Sequence, residues 1–301
     1  MKANRNIFPI IRHSGSRICI CFILPVILLL VACNSKRQPA DEPTLTVTLE
    51  PLRYFTEAIA GDKFKVVSMV PKGSSPETYD PIPQQLVNLD KSTAYLRIGY
   101  IGFEQTWMDK LTANAPHLTV FDTSKGIEPI YEEGHQHGDH HHEGGIEPHI
   151  WNSARNARVI ADNIYAALRE LDSENTPYYK ERLDSLHQVI AQTDTEVRDA
   201  LQHADSTFLI YHPALSYFAR DYGLKQISIE EGGKEPSPAH LKELIETCRR
   251  DSARVIFVQQ EFDTRNAQLI ADELGVKVIP INPLSYEWKE EMINVAKALA
   301  K

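Results

Sequence analysis

The sequence predicts an α/β protein of two lobes, each a mainly parallel sheet flanked by helices, joined by a long linking helix. Three observations predict it. Short runs rich in Val and Ile alternate with helical stretches in the first half of the chain and again in the last third, the pattern of parallel strands with crossover helices. Between the two sets lie consecutive helical stretches with no strand signal, the second long enough to cross a domain. The chain beyond residue 33 is about 268 residues, enough for one large domain or two lobes.

Residues 1–33 stand outside this fold. Lys2, Arg5, Arg12 and Arg17 make a basic leader, residues 18–32 are an almost unbroken apolar run, and Leu30-Val31-Ala32-Cys33 closes it. The run is too short for a comfortable span and has the charge order of a secretory signal. Its end is similar to a bacterial lipobox, in which Cys33 is lipidated and becomes the new N-terminus; the alternative is an uncleaved anchor helix. Either places the body outside the cytoplasm, periplasmic or at the cell surface, held at a bacterial membrane. Residues 34–44 are polar and contain proline, and read as a tether.

The first lobe is expected over 45–175. Strands are read at 45–50, 64–70, 94–98 and 118–121, with helices around 54–60 and 104–111. A Gly/His/Glu-rich loop follows over 123–148, its His-rich part at 134–144. Residues 154–171 carry Val159, Ile160, Ile164 and Leu168 at helical spacing. Thr176-Pro177 then starts the linking helix, 176–204, with an N-cap and a proline in the first turn; such a rod is ~40 Å long. The second lobe, 205–301, resumes the alternation: strands at 208–211, 226–229, 255–259 and 276–281, helices near 214–222, 238–250, 264–274 and 288–300.

Composition narrows the function. Cys19 and Cys21 lie in the leader and Cys33 at its end, so only Cys248 remains; the mature chain has no internal disulfide and no Cys-based zinc site. Removing the leader's four basic residues takes the formal charge from −9 to about −13, which argues against nucleic acid or an anionic lipid surface as partner. No G-x-G-x-x-G, Walker or G-x-S-x-G motif is present, so nothing points to a nucleotide cofactor or a hydrolase triad.

Metal chemistry is what the residues favour. His135, His137, His140, His141 and His142 are five of the twelve histidines and share one glycine-flanked segment; imidazole is the commonest ligand for zinc and its neighbours. In open α/β sheets ligands bind beyond the carboxyl ends of strands. Four metal-capable side chains follow strands there: Glu77 in a Pro-bracketed loop, His149 between Pro148 and Ile150, His212 before Pro213, and Asn282 before Pro283. Each alone also reads as an ordinary surface acid, a packed histidine or a turn residue. Two fall in each lobe, and all four can converge on one cleft.

These pieces resemble the zinc- and manganese-binding solute-binding lipoproteins of ABC metal importers. That family shows Gly-x-x-Pro-His-x-Tyr-Glu-Pro, Asp-Pro-His-x-Trp, a strand followed by His and then Tyr-Gly-Leu, and a late Asp-Pro-Leu. This chain has Gly73-Ser74-Ser75-Pro76-Glu77-Thr78-Tyr79-Asp80-Pro81, Glu147-Pro148-His149-Ile150-Trp151, His212 with Tyr222-Gly223-Leu224, and Asn282-Pro283-Leu284, in order over essentially the whole mature chain. The resemblance implies a non-catalytic, lipid-anchored receptor, expected as a monomer, that hands zinc or manganese to an ABC permease. It implies a site in the inter-lobe cleft made by Glu77, His149, His212 and Asn282, with the His-rich loop as an auxiliary metal-binding segment. Glu77 replaces the family's first histidine and Asn282 its aspartate, so the ion is expected either to keep a water or to recruit another acid such as Glu230, Glu231 or Glu261. The competing readings are a zinc hydrolase with an open coordination position and a surface adhesin that uses metal structurally.

Overall fold

A computed structural model describes residues 43–131, 136–137, 140–141, 145–230 and 232–300. The leader, Cys33, residues 34–42 of the tether, His135, His142, Glu231 and the side chains of His137, His140 and His141 lie outside the described residues. No helix among the described residues is long and apolar enough to cross a membrane.

Four strands, β1 (Thr44–Val47), β2 (Lys65–Ser68), β3 (Ala94–Arg97) and β4 (Thr119–Asp122), form a parallel sheet in the order β2-β1-β3-β4. Helices α1 (Glu50–Ala60), α2 (Pro83–Leu89) and α3 (Gly102–Asn114) connect them. Two two-residue strands, β5 (Gln136–His137) and β6 (His140–His141), pair antiparallel within the segment expected as a loop, with His137 opposite His140. Then come α4 (Ala154–Leu171), a short 3-10 turn (Ser173–Asn175) and α5 (Thr176–Leu201). A second parallel sheet, in the order β10-β9-β7-β8, comprises β7 (Thr207–Ile210), β8 (Lys225–Ser228), β9 (Val255–Gln259) and β10 (Lys277–Ile281). Its helices are α6 (Ser216–Tyr222), α7 (Pro238–Asp251), α8 (Arg265–Leu274) and α9 (Trp288–Leu299).

Two boundaries differ from the sequence expectation. β1 stops at Val47 and α1 begins at Glu50, with Pro51 in its first turn, where proline fits because the first amides need no intrahelical partner. Helix α2, in a stretch assigned no element, starts at Pro83; the Gln85 side chain accepts from the Ile82 amide at 3.0 Å and donates to the Met69 carbonyl at 2.6 Å. Only Leu89 of this helix is buried, so it carries no periodic signal.

Helix α5 has 26 residues and is about 39 Å long. Tyr179, Leu183, Leu186, Ile190, Thr193 and Val197 are its buried face, a stripe at three- and four-residue spacing. It packs against α1, α4 and α9, joining the start, middle and end of the chain. The second sheet alternates between two cores, as period-two side-chain direction requires. Phe208 and Ile210 of β7 and Phe257 of β9 enter the core shared with the first sheet and α5, whereas Leu209, Ile256 and Val258 meet α7 and α8. The first core therefore spans both sheets.

Two tryptophans close this core. Trp288 of α9 meets Phe55 of α1 edge-on at 5.2 Å and donates its indole N–H to the Trp151 carbonyl at 2.8 Å. Trp151 donates in turn to the Pro283 carbonyl at 2.7 Å. The final helix thereby ties the turn before α4 to the loop after β10. Replacing Trp288 by Ala removes a fully packed ring and one of these bonds, and is expected to cost about 3–5 kcal/mol, read as a lower midpoint in urea unfolding of the metal-free protein.

Candidate metal centre

Glu77, His149 and His212 come together, each with one ligand atom within 4.8 Å of the others'. They arrive from three loops at the carboxyl ends of strands, where parallel sheets place their ligands.

Glu77 sits in the loop between β2 and α2, and the start of α3 holds that loop. The Phe103 amide donates to the Pro76 carbonyl at 2.8 Å, and the Glu77 amide donates to Ser75 Oγ at 3.3 Å. Gly102 is required here for space: a Cβ on it would lie 2.6 Å from Glu77 Oε2 and 3.0 Å from the Glu77 carbonyl oxygen. Two residues on, in the same first turn, buried Glu104 accepts from the amides of Ile98 and Gly99 at 2.7 and 2.6 Å and from the Thr48 hydroxyl, which fixes the turn that carries Gly102. Burial pushes the Glu104 carboxyl up to about 7, against the opposing pull of those hydrogen bonds. Glu77 Oε1 is buried with no hydrogen-bond partner. A buried carboxylate oxygen without a donor is costly unless a cation meets it.

His149 is 5% exposed. Its Nδ1 bonds Glu147 Oε1, which also accepts from the His149 amide at 3.0 Å. Glu147 Oε2 accepts from Ser216 Oγ at 3.0 Å. Burial works to raise the Glu147 carboxyl, but the electrostatic pull of the His149 ring and these donors outweigh it and hold it below the usual carboxylate range. His212 follows β7 and Tyr211. Its Nδ1 bonds Glu230 Oε1 at 2.9 Å, and its backbone carbonyl accepts from Gln259 Nε2 at 2.6 Å. Phe262 stacks on its ring, with centroids 5.3 Å apart and planes 19° from parallel.

Each carboxylate fixes a tautomer. With both Nδ1–H groups donated, both Nε2 atoms present lone pairs to one point, and they stand 3.3 Å apart. Two lone pairs that face each other repel, and a cation between them binds both. Imidazole nitrogens about 2.0–2.1 Å from a tetrahedral zinc ion stand about 3.3 Å from each other, the spacing found here. The carboxylate–histidine–metal arrangement is the one that orients ligands and raises their basicity. The donor set therefore fits a divalent ion of the zinc type.

Asn282 is placed differently. Its side-chain oxygen accepts from the Leu284 amide at 3.2 Å, and its own amide donates to Glu291 Oε1 at 2.7 Å. Pro283 and Leu284 line the cleft with Ser75, Gln259, Glu261 and Phe262, while the Asn282 side chain serves the turn. The cavity volume is about 20 Å³, room for roughly one water-sized sphere. Sequence reasoning missed Glu147 as the partner of His149. Its signal is an acid two residues before the histidine, but only the turn through Pro148 brings the two together. Glu230, expected as an added ligand, instead lies on His212 Nδ1.

Glu147→Gln keeps a hydrogen-bond acceptor but removes the charge, and Glu147→Ala removes both. Metal affinity is expected to fall by about 10-fold in the first and about 100-fold in the second, measured by competition with a chromophoric chelator.

Known proteins share this architecture. The family model of zinc-uptake complex component A periplasmic matches residues 45–300. The zinc-binding lipoprotein AdcA of Streptococcus pneumoniae is 28% identical over 287 residues, 88% of this chain; the chain spans only 54% of AdcA's own length. The manganese ABC transporter substrate-binding lipoprotein PsaA of Streptococcus mitis is 27% identical over 271 residues, covering 85% of each chain. A crystal structure of ZnuA superposes with a TM-score of 0.79 and 36% identity, covering 85% of this chain and 97% of that one. With nearly all of its described residues inside the family match, the chain belongs to the zinc-uptake complex component A periplasmic family.

Proposed function

We propose that the protein is a membrane-tethered, extracytoplasmic receptor that captures zinc, with manganese as the alternative cargo, and delivers it to an ABC permease in the cytoplasmic membrane. The observation that carries this reading is the pair of facing Nε2 atoms, each imidazole backed by a carboxylate, beside the unpartnered Glu77 oxygen. AdcA and PsaA, similar over most of this chain, are a zinc-binding and a manganese-transporter lipoprotein by name. Glu77, His149 and His212 are the residues assigned to the ion. The role is binding and not catalysis, in keeping with the zinc-uptake family match and with relatives named as metal-binding and substrate-binding lipoproteins. Residues 1–33 are assigned as the signal, Cys33 as the lipid anchor, residues 34–44 as the tether and 134–144 as a segment that gathers metal weakly. The mature receptor acts as a monomer, with lobes 45–175 and 205–301 on either side of the helix 176–204.

Elemental analysis of protein purified without added metal, with an anomalous-edge measurement of the bound ion, tests the cargo. His149→Ala and His212→Ala should each abolish tight binding; retention of wild-type affinity by either variant removes that residue from the site. The chelated protein should stay folded, because its cores close without an ion. Saturating zinc at a thousandfold excess over the dissociation constant should then add about 4 kcal/mol of stability, read from melts with and without chelator. Loss of helical signal on chelation at room temperature would instead mark a structural metal. Deleting residues 134–144 should leave one tight zinc site in calorimetry and remove several weak ones; loss of the tight site would make that segment a primary ligand source.

A further inference from the structure

The three grouped side chains are one short of a tetrahedral zinc site. Two neutral imidazoles and one carboxylate also leave one positive charge uncompensated, which is costly in a buried cleft. The cleft's other polar side chains are mostly committed. Gln259 bonds both the carbonyl and the amide of His212, at 2.6 and 3.4 Å. Glu147 and Glu230 hold the two histidines from behind. Ser75 Oγ accepts from the Glu77 amide, and the Asn282 oxygen accepts from Leu284. Glu261 is the exception. It lines the same cleft as Glu77, His149 and His212, is half-buried, and its carboxylate has no hydrogen-bond or ion-pair partner among the described residues.

We propose that Glu261 supplies the fourth ligand, closing on the ion by side-chain rotation after the ion has met Glu77, His149 and His212. The backbone around it is already fixed at both sides. Gln259 is locked to His212, the Phe262 amide donates to the Gln259 carbonyl at 3.2 Å, and the Phe262 ring is held between His212 and Tyr211, 5.3 and 5.2 Å away. Two carboxylates and two imidazoles then neutralise a divalent ion completely. The resulting two-nitrogen, two-oxygen donor set is harder than a three-histidine site, and so admits manganese as well as zinc. This assignment rests on the metal-receptor reading and makes the second lobe supply two of the four ligands.

The test is zinc affinity by chelator competition and ligand counting by X-ray absorption on the full mature chain, in Glu261→Gln, Glu231→Ala and His149→Ala. The expected result is a loss of about 100-fold in Glu261→Gln, with one fewer oxygen in the zinc shell and an unchanged melting curve for the metal-free protein. Glu261→Gln within about threefold of wild type, while His149→Ala destroys binding, overturns the Glu261 assignment and leaves the receptor reading standing. The same loss in Glu231→Ala but not in Glu261→Gln also overturns it, by naming the other acid. Tight binding retained in His149→Ala would sink the receptor reading itself.

Discussion

The Glu147 carboxylate is the contact on which the rest of the site depends. One oxygen holds the His149 ring and amide, and the other accepts from Ser216 of the second lobe. The Glu147 carbonyl accepts from Tyr217 at 3.0 Å, and the Tyr217 hydroxyl oxygen accepts from the Ile130 amide at 3.2 Å. Orientation of the His149 imidazole and docking of the two lobes are thus one set of hydrogen bonds. Neighbouring bonds reinforce it: Asn152 donates to the Ala214 carbonyl at 2.9 Å, and Ser153 bonds Asp221. Because the partners are buried and satisfied, breaking one leaves a stranded donor or acceptor, which costs more than the bond itself contributes.

Electrostatics follows from the same layout. Outside the three grouped side chains, acids stand behind both histidines, so a chain of formal net charge −9 places negative charge beside the position between the Nε2 atoms. Neither supporting acid competes for the position between the Nε2 atoms, since each is held on the far nitrogen of its ring. A ring fixed in this way loses no rotational freedom when it binds, and preorganisation of that kind raises affinity without adding contacts.

Much of this was legible in the sequence, for local reasons. Parallel strands buried on both faces leave continuous apolar runs, as in Phe208-Leu209-Ile210, and an amphipathic stripe of 26 residues leaves an unbroken helical period. His149 and His212 were legible because each follows a strand or a rigid proline turn. What escaped was either weakly periodic or non-local. Helix α2 buries a single residue, and the Leu49-Glu50-Pro51-Leu52 stretch continues an apolar alternation past the end of β1, which hid the start of α1. The pairing of Glu230 with His212 spans the return of the chain through α6 and β8, and no spacing rule encodes it. Asn282 in Asn-Pro-Leu reads equally as ligand or turn residue; its side-chain oxygen accepts from the Leu284 amide, a bond that no sequence pattern announces.

The core shared by the two sheets has a mechanical consequence. Swinging the sheets apart would expose Phe208, Phe257, Trp151 and Trp288, all at most 2% accessible, at about 25 cal/mol per Å² of apolar surface. It would also break the chain of indole bonds from Trp288 to the Trp151 carbonyl and from Trp151 to the Pro283 carbonyl. Entry of an ion into this cleft would therefore be met at lower cost by the rim, where Phe262 lies in a surface turn, than by hinge motion. An occupied and an empty cleft would on these grounds differ more in rim side chains than in outline. Any partner able to tell the two apart would have to read chemistry and stiffness at the mouth of the cleft, because silhouette would carry little information.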